Sequence, residues 1–320
     1  MGAVSEADVP PVLDDVAALV GAREPSVDRE LSARVVAARV SLRSRLVELW
    51  RSRELFMFLV RKELKVKYKG SILGFLWSML NPAVVLVVYY VVFTYFLKSN
   101  VPNFALYLFS GLLVWNLFSS ALMGSSTAIV AAAGIVKKVS FPREILALSQ
   151  VGSAAVFFFF QCVVLVAFLA GFQIAPAWPY LPLVPLAFVD LVLLTAGIAI
   201  FLSAVNVYLR DVEHLVGVLL QAWFWGVPII YSFNRVYDHH RWLGYFYLAD
   251  PVTPIVLAFQ RALYGKVSFV SGGVRQVALA NYPYHFYVAM LAWVAGIAIV
   301  LLLGALVVFG RIEGNFAEEL

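Results

Sequence analysis

Charge is scarce in this chain of 320 residues, of which only 13% are Asp, Glu, Lys or Arg while 62% are hydrophobic. A typical soluble domain has roughly a quarter charged residues, so this composition excludes an ordinary soluble protein. Apolar runs of about 20 residues recur along the sequence, and each is long enough to cross a hydrocarbon core of about 30 Å. The sequence therefore predicts a single polytopic helical membrane domain with appendages.

Several chemical groups are missing as well. Cys162 is the only cysteine, which excludes an intrachain disulfide and a multi-cysteine metal site. We expect Cys162 to pack as a small hydrophobe, and we expect no metal site. The sequence has no Gly-rich loop ending in Lys-Ser or Lys-Thr, so we expect no ATP to bind this chain in that manner. The first 35 residues have no secretory signal pattern, so the N-terminus is expected in the cytosol.

The N-terminal part divides into two predicted segments. Residues 1–40 mix acidic, basic and small apolar residues and predict a cytosolic extension. Residues 41–70 predict an amphipathic helix in the membrane interface, because basic residues separate a helically spaced apolar stripe. The stripe consists of Leu42, Leu46, Leu49, Phe56 and Val60. The stretch KVKYK alternates like a strand, but a helix is preferred because an unpaired strand in lipid leaves backbone groups unsatisfied.

Six apolar segments predict transmembrane helices within a domain that covers residues 71–310. They run over about 72–97, 105–130, 146–172, 182–206, 213–232 and 286–309. The second segment contains a stretch of small and polar residues, Ser119 to Ala128. Such residues let helices approach closely, so we expect this stretch to face protein. Residues 311–320 are expected to form a cytosolic tail.

The orientation follows from the basic residues beside the spans. Lys137, Lys138 and Arg143 follow span two, Arg210 follows span four and Arg311 follows span six. The positive-inside rule then predicts a multi-pass protein of the cytoplasmic membrane with both termini in the cytosol.

An even number of spans leaves residues 233–285 outside. Within this loop, Thr253 is expected to cap a short helix, with Pro254 at its first position and Gly265 at its end. That helix is too short to span, so we expect it to be re-entrant or interfacial.

Asp190 is the one ionisable residue well inside a span. Ion-coupled carriers usually have several such residues, so a single acid is weak support for a proton-driven carrier. It lies about two helical turns from the predicted outer end, at a rise of about 5.4 Å per turn, where we expect water to reach it. We expect a structural role for Asp190, bonding to a neighbouring helix or a lipid headgroup.

Four separated motifs carry a resemblance to a known family. They read RKELKVKYKGSILGFLWSMLNP, KKVSFPREILALS, NVYLRDVEHLVGVLLQAWFWGVPIIYS and ADPVTPIVLAFQRALYG, in that order. Together they resemble the permease subunit of type-two ABC exporters, in the branch that exports lipid-linked polysaccharides of the O-antigen, teichoic acid or galactan type. The resemblance covers about residues 45–310.

This resemblance implies an all-α fold with six spans, an N-terminal interface helix, a cytosolic coupling helix and external re-entrant helices. It also implies a homodimer that works with two copies of a separate ATPase subunit, which would bind ATP and Mg. No nucleic acid is expected as a partner. In this family the loop after span two docks in a cleft of the ATPase. Carried onto this chain, that role belongs to Lys137, Lys138, Phe141, Pro142, Arg143 and Glu144.

The resemblance assigns two further cytosolic contacts. The interface helix, over residues 54–69, would meet the ATPase through Glu54, Arg61, Lys62, Lys65, Lys67 and Tyr68. Arg210 and Asp211 match an Arg-Asp pair that makes either a second contact or a salt bridge within the turn. One departure is the outer motif, which often reads Asn-Pro in the family and is Asp250-Pro251 here.

Aromatic side chains are the expected lining of a glycan channel, because sugars stack on aromatic rings and bond to Tyr and Trp. The candidates are Trp77, Tyr89, Tyr90, Trp223, Trp225 and Tyr231. Trp and Tyr are also enriched at membrane interfaces, which is the competing explanation.

Two alternative functions remain open from the sequence. One is a type-two ABC exporter of a lipid or drug, which shares the fold and differs in cargo. The other is a membrane-embedded glycosyl or acyl transferase, for which Asp238, His239, His240 and Asp250 are the nominal catalytic candidates.

Overall fold

The computed structural model describes residues 42–96, 103–137, 139, 141–231, 233, 241–265, 268–271, 274–277, 279 and 281–320. Residues 45–320 form one compact unit, and all contacts described below lie within it. The predicted extension over residues 1–40 lies outside the described residues.

The described residues are mostly helical. The helices are α1 (Leu42–Arg51), α2 (Arg53–Lys67), α3 (Trp77–Val91), α4 (Phe104–Ala131), α5 (Ala133–Val136), α6 (Glu144–Gly171), α7 (Leu183–Tyr208), α8 (Val212–Gly226), α9 (Arg241–Ala249), α10 (Val252–Leu263), α11 (Tyr284–Ile312) and α12 (Phe316–Glu319). A π-helical turn, Val92–Phe96, extends α3, and short 3-10 turns lie at Gly74–Leu76, Trp178–Tyr180 and Glu313–Asn315.

The all-α prediction needs one correction. Strand β1 (Ser268–Ser271) pairs antiparallel with β2 (Val274–Val277). The sequence between them is Gly-Gly, a dipeptide typical of two-residue hairpin turns, so the signal was present in the sequence.

Five helical segments in the described part of the chain are long and apolar enough to cross a membrane. They are Trp77–Phe96, Phe104–Ala131, Glu144–Gly171, Trp178–Tyr208 and Tyr284–Asn315. The predicted span over 213–232 is not among them. In its place α8 has 15 residues, which at 1.5 Å each make about 22 Å, less than a hydrocarbon core of about 30 Å. The helix ends because Pro228 disfavours helical geometry at Val227, which is extended.

Helix α4 is the centre of the body. Along its most apolar stretch 78% of the residues are buried, compared with 6% for the segment that contains α3. Helices α6, α7 and α10 pack around α4, while α3 lies at the edge against α6 and α4. The uncovered apolar surface of α3 therefore faces either lipid or another protein.

Helices α7 and α11 form the most extensive helix pair. Gly197 on α7 makes this approach possible, because a Cβ there would lie 2.8 Å from the backbone nitrogen of Leu302. Small residues allow such close packing between membrane helices, where dispersion contacts replace the hydrophobic effect.

The body has two ends, because α6 runs opposite to α4, α7 and α11. We call the end that contains the α4–α6 connection, the end of α7 and the end of α11 the basal end. The opposite end, with the starts of α4, α7 and α11, is the distal end. Helix α10 lies at the distal end, is buried over almost its whole length and packs against α4, α7 and α11. It therefore enters the body and does not lie on its surface.

The N-terminal amphipathic segment is helical, as predicted, but it is not one helix. Ser52 separates α1 from α2, and the helix ends at Lys67, before a turn in which Gly70 has φ +80°. The helix preferred for KVKYK is thus confirmed up to Lys67. Helix α2 packs on α6 through Leu59 and Val60, which are buried.

Candidate functional site

A polar cleft of about 540 Å³ lies between α3, α4 and α6. Its polar lining includes six amide and hydroxyl side chains, namely Ser78, Asn81, Asn116, Ser119, Ser120 and Gln161. Asn116 Nδ2 donates to Gln161 Oε1 at 2.9 Å, which links α4 to α6 across the cleft. Amides offer both donors and acceptors, so the cleft matches the hydroxyl groups of a sugar.

Four residues predicted from the sequence line the same cleft: Lys67, Tyr68, Trp77 and Tyr89. The Lys67 ammonium lies 3.9 Å from the centre of the Phe157 ring, in a cation–π contact. Burial lowers the pKa of Lys67 and raises the pKa of Tyr68. The cleft thus combines one cation, aromatic faces and neutral hydrogen-bonding groups.

The remaining predicted channel aromatics lie elsewhere. Tyr90 packs against Phe168 on α6 and Phe172 just after it. Tyr231 is bonded on both sides, because its hydroxyl lies 2.7 Å from the Trp225 carbonyl and 3.0 Å from the Tyr247 hydroxyl. The Trp225 side chain is largely exposed.

Trp223 and Asp250 join α8 to α10. The Trp223 indole donates to Asp250 Oδ1 at 3.1 Å. The same carboxylate caps α10, since its Oδ2 accepts from the Thr253 amide at 3.2 Å and the Thr253 hydroxyl at 2.8 Å. The prediction that Thr253 caps this helix is thus wrong. Asp250 is the capping residue, since its carboxylate accepts from two donors of the first turn.

Burial raises the pKa of Asp250, while its bonds to Thr253, Val252 and Trp223 oppose that rise. A carboxylate with so many donors is a helix cap and has little capacity left for acid–base catalysis. The other nominal transferase residues, Asp238, His239 and His240, lie outside the described residues.

Asp190 is more enclosed than predicted. It is 1% exposed, and its Oδ2 has no hydrogen-bond partner among the described residues. The expectation that water reaches it is wrong, because α7 buries this face against its neighbours. No bond from its Oδ2 to a neighbouring helix is seen in the described part.

The α4–α6 connection also differs from the predicted coupling helix. Helix α5 has four residues and precedes the charges, whereas Pro142 and Arg143 lead directly into the 28-residue α6. The amide of Ile145 bonds to the Pro142 carbonyl, so proline begins a long helix and not a separate short one. Lys137 is exposed, Phe141 and Pro142 are partly exposed, and Lys138 lies outside the described residues.

Glu144 and Arg143 are engaged within the chain. Glu144 is 2% exposed and pairs with the guanidinium of Arg45, which also pairs with Glu313. Arg143 donates to the Glu313 carbonyl and lies 5.7 Å from the centre of the Phe316 ring. Sequence reasoning missed Arg45 and Glu313, because no local pattern links residues that are 268 positions apart.

The other predicted cytosolic contacts are accessible. Five of the six predicted interface-helix residues are exposed, namely Glu54, Arg61, Lys62, Lys65 and Lys67, and so are Arg210 and Asp211. Among the described residues Arg210 and Asp211 form no ion pair. The turn is held instead by Asn206, whose Oδ1 accepts from the Glu213 amide at 3.2 Å, so the predicted internal salt bridge is absent there.

Comparison with known proteins adds family information. Residues 54–264 match the ABC-2 type transporter family. Two proteins of Klebsiella pneumoniae named "O-antigen export system permease protein RfbA" are 29% identical over 267 residues, which is 83% of this chain and 95% of each relative. A protein of the same name from Myxococcus xanthus is 33% identical over 217 residues, 68% of this chain and 83% of the relative.

Proposed function

Because the chain belongs to the ABC-2 type transporter family, we propose that it is the membrane subunit of an ATP-driven exporter of a lipid-linked polysaccharide. Two copies would form the pore in the cytoplasmic membrane, with both termini in the cytosol. A separate ATPase subunit would bind ATP and Mg, and this chain would bind no cofactor.

The observation that carries the choice of substrate is the polar cleft between α3, α4 and α6. A channel for an apolar drug or lipid does not need a cluster of amide side chains inside the membrane. Such a cluster is costly there, because polar groups without partners are unfavourable in the hydrocarbon core. Here Asn81, Asn116 and Gln161 lie together with Trp77 and Tyr89. Neutral amides with aromatic faces suit a glycan, which presents many hydroxyl groups and few charges.

The residues at the basal end support the proposal that the ATPase binds there. Lys137 and Phe141 present a charge and an apolar ring in the α4–α6 connection, a combination that suits an anchor with a polar rim at a protein interface. Closure of the ATPase dimer on ATP would displace this connection and the exposed face of α2. The displacement would open the seam between two copies for the glycan.

Reconstitution tests this proposal. The chain and a candidate ATPase subunit are placed in proteoliposomes, and ATP-dependent movement of a lipid-linked glycan is measured. We expect the double variant Asn116→Ala and Gln161→Ala to reduce export about tenfold, the equivalent of about 1.4 kcal/mol, because sugar hydroxyls lose two amide partners. Gln221→Ala is the matched control, since Gln221 is exposed on α8 and outside the cleft.

A second arm of the same experiment tests ATPase contact. The double variant Lys137→Ala and Phe141→Ala should insert normally but lose both export and substrate stimulation of ATP hydrolysis. This pair is a cleaner test than Arg143, which also binds the C-terminal segment. Export of a lipid or drug in place of the glycan, with the cleft variant unaffected, would contradict the substrate assignment.

A further inference from the structure

Arg45 joins three segments of the chain at the basal end. Its guanidinium pairs with Glu144, at the start of α6, and with Glu313, just after α11. Arg45 is 6% exposed, so water and salt screen these pairs much less than surface pairs. The planar guanidinium presents donors in a rigid fork, and two carboxylates therefore fix its orientation.

Helix α11 is fitted closely to this side chain. A Cβ at Gly310 would lie 2.8 Å from Arg45 Cζ and 2.9 Å from its Nε. Any side chain at position 310 would therefore displace the guanidinium. The absence of a side chain lets the end of α11 pack directly against Arg45.

The segment Glu313–Leu320, which we call the tail, is held by neighbouring contacts. Arg143 donates to the Glu313 carbonyl, and the fully buried Phe316 ring packs against Phe309 and Tyr208. The Tyr208 hydroxyl donates to the Ile312 carbonyl at 2.8 Å. The tail is thus bound to the α4–α6 connection and to the ends of α7 and α11.

We propose that Arg45 is a positioning residue that makes α1, the α4–α6 connection and the tail move as one unit. The consequence of this inference for transport rests on the proposed function. If the ATPase displaces the connection, the ion pairs of Arg45 would move α11 and the N-terminal helices with it. Without Arg45, the connection would keep its Arg143 contacts to the tail but lose its ion-pair link to α1. The three segments would then no longer move together, and ATP hydrolysis would be separated from export.

A distance measurement tests the mechanical part without any transport. Spin labels are placed at Lys137→Cys and Asn315→Cys, two exposed positions, in a full-length Cys162→Ala background. We expect a narrow distance distribution with Arg45 present and a clearly broader one in Arg45→Gln. Arg51→Gln is the matched control, because Arg51 is an exposed arginine on the same helix and should leave the distribution unchanged.

A transport measurement tests the consequence. In the reconstituted complex we expect Arg45→Gln to lower the ratio of glycan exported to ATP hydrolysed by about tenfold, within the usual range of coupling between sites. ATPase binding should be retained. Arg45→Lys keeps the charge without the fork and should restore the ratio only in part.

A second variant separates positioning from simple instability. Arg45→Gln leaves Glu144 buried without its partner, whereas Arg45→Gln with Glu144→Gln leaves neither charge. We expect this double variant to insert and assemble normally, with the broad distribution and the lowered ratio. A narrow distribution or a normal ratio in the double variant would overturn the inference. If the wild-type complex exports no glycan while Arg45→Gln still broadens the distances, the proposed function fails and the positioning role stands.

Discussion

The basal and distal ends of the helical body use their charged residues in opposite ways. At the basal end Arg45 pairs with two carboxylates, those of Glu144 and Glu313. At the distal end Asp250 accepts bonds from amides, a hydroxyl and an indole, while Arg261 lies 3.9 Å from the centre of the Tyr180 ring and donates to the Gly265 carbonyl. Arg45 meets charged partners at the basal end, whereas Asp250 and Arg261 meet neutral partners at the distal end.

The contacts at the two ends differ in the free energy that is lost when they are broken. Removing one partner of a buried ion pair costs about 3–5 kcal/mol, because a charge remains buried without compensation. A hydrogen bond between one charged group and a neutral partner contributes only about 1.5–3 kcal/mol. The basal end is therefore suited to transmit force as a unit, and the distal end is suited to exchange its bonds one at a time.

The largest expected effect comes from breaking the basal ion pairs. Glu144→Ala leaves Arg45 with one carboxylate, and we expect it to destabilise the protein by about 3 kcal/mol. Thermal unfolding in detergent measures this loss. Glu54→Ala, which removes an exposed carboxylate on α2, is the control. Equal midpoints for the two variants would contradict the contrast between the ends.

A smaller effect is expected from the distal cap. Asp250→Ala removes the cap of α10 and the partner of Trp223, and we expect a loss of about 1–2 kcal/mol. Asp250→Asn should lose less, because the amide oxygen of Asn still caps the helix, although its NH2 group cannot accept the bonds made by the second carboxylate oxygen. The same unfolding measurement, followed by Trp fluorescence, compares them. A large loss in Asp250→Asn would mean that the charge itself is required at this end.

The smallest effect is expected from a single neutral bond. Tyr107→Phe removes the hydroxyl that donates to the Tyr231 carbonyl at 2.9 Å and lies 3.5 Å from the Pro228 carbonyl. We expect a loss of about 1 kcal/mol, since one neutral hydrogen bond is removed. Tyr95→Phe is the control because Tyr95 is exposed. A loss as large as that of Glu144→Ala would show that the two ends are held equally firmly.

The long apolar segments were predictable because each helix makes its backbone hydrogen bonds within its own segment, independently of the rest of the fold. Hydropathy alone therefore located the five spanning helices, and it failed only where a proline limited helix length. Residues 213–232 are mostly apolar, but Pro228 ends helical geometry after Gly226. Hydropathy does not record where a helix stops, so composition overestimated the length of α8.

The candidate site was predictable in part. Trp77 and Tyr89 were identified as aromatics on a predicted span, and the structure brings both to the cleft. The amides that share the cleft were missed, because Asn81, Asn116 and Gln161 come from three helices and are isolated in the sequence. For the same reason Trp223 and Tyr231, which look like channel residues by type, are bonded within the distal end.

The amino-acid sequence by itself determined the class of this protein, the position of most spans and the family it resembles, since these depend on local hydropathy and on short continuous motifs. Only the tertiary structure decided which charges pair and which face of each helix lines the cleft. Arg45 shows the reason. Its partners are 99 and 268 positions away, and whether a guanidinium meets them depends on how the helices pack and not on the residues beside it.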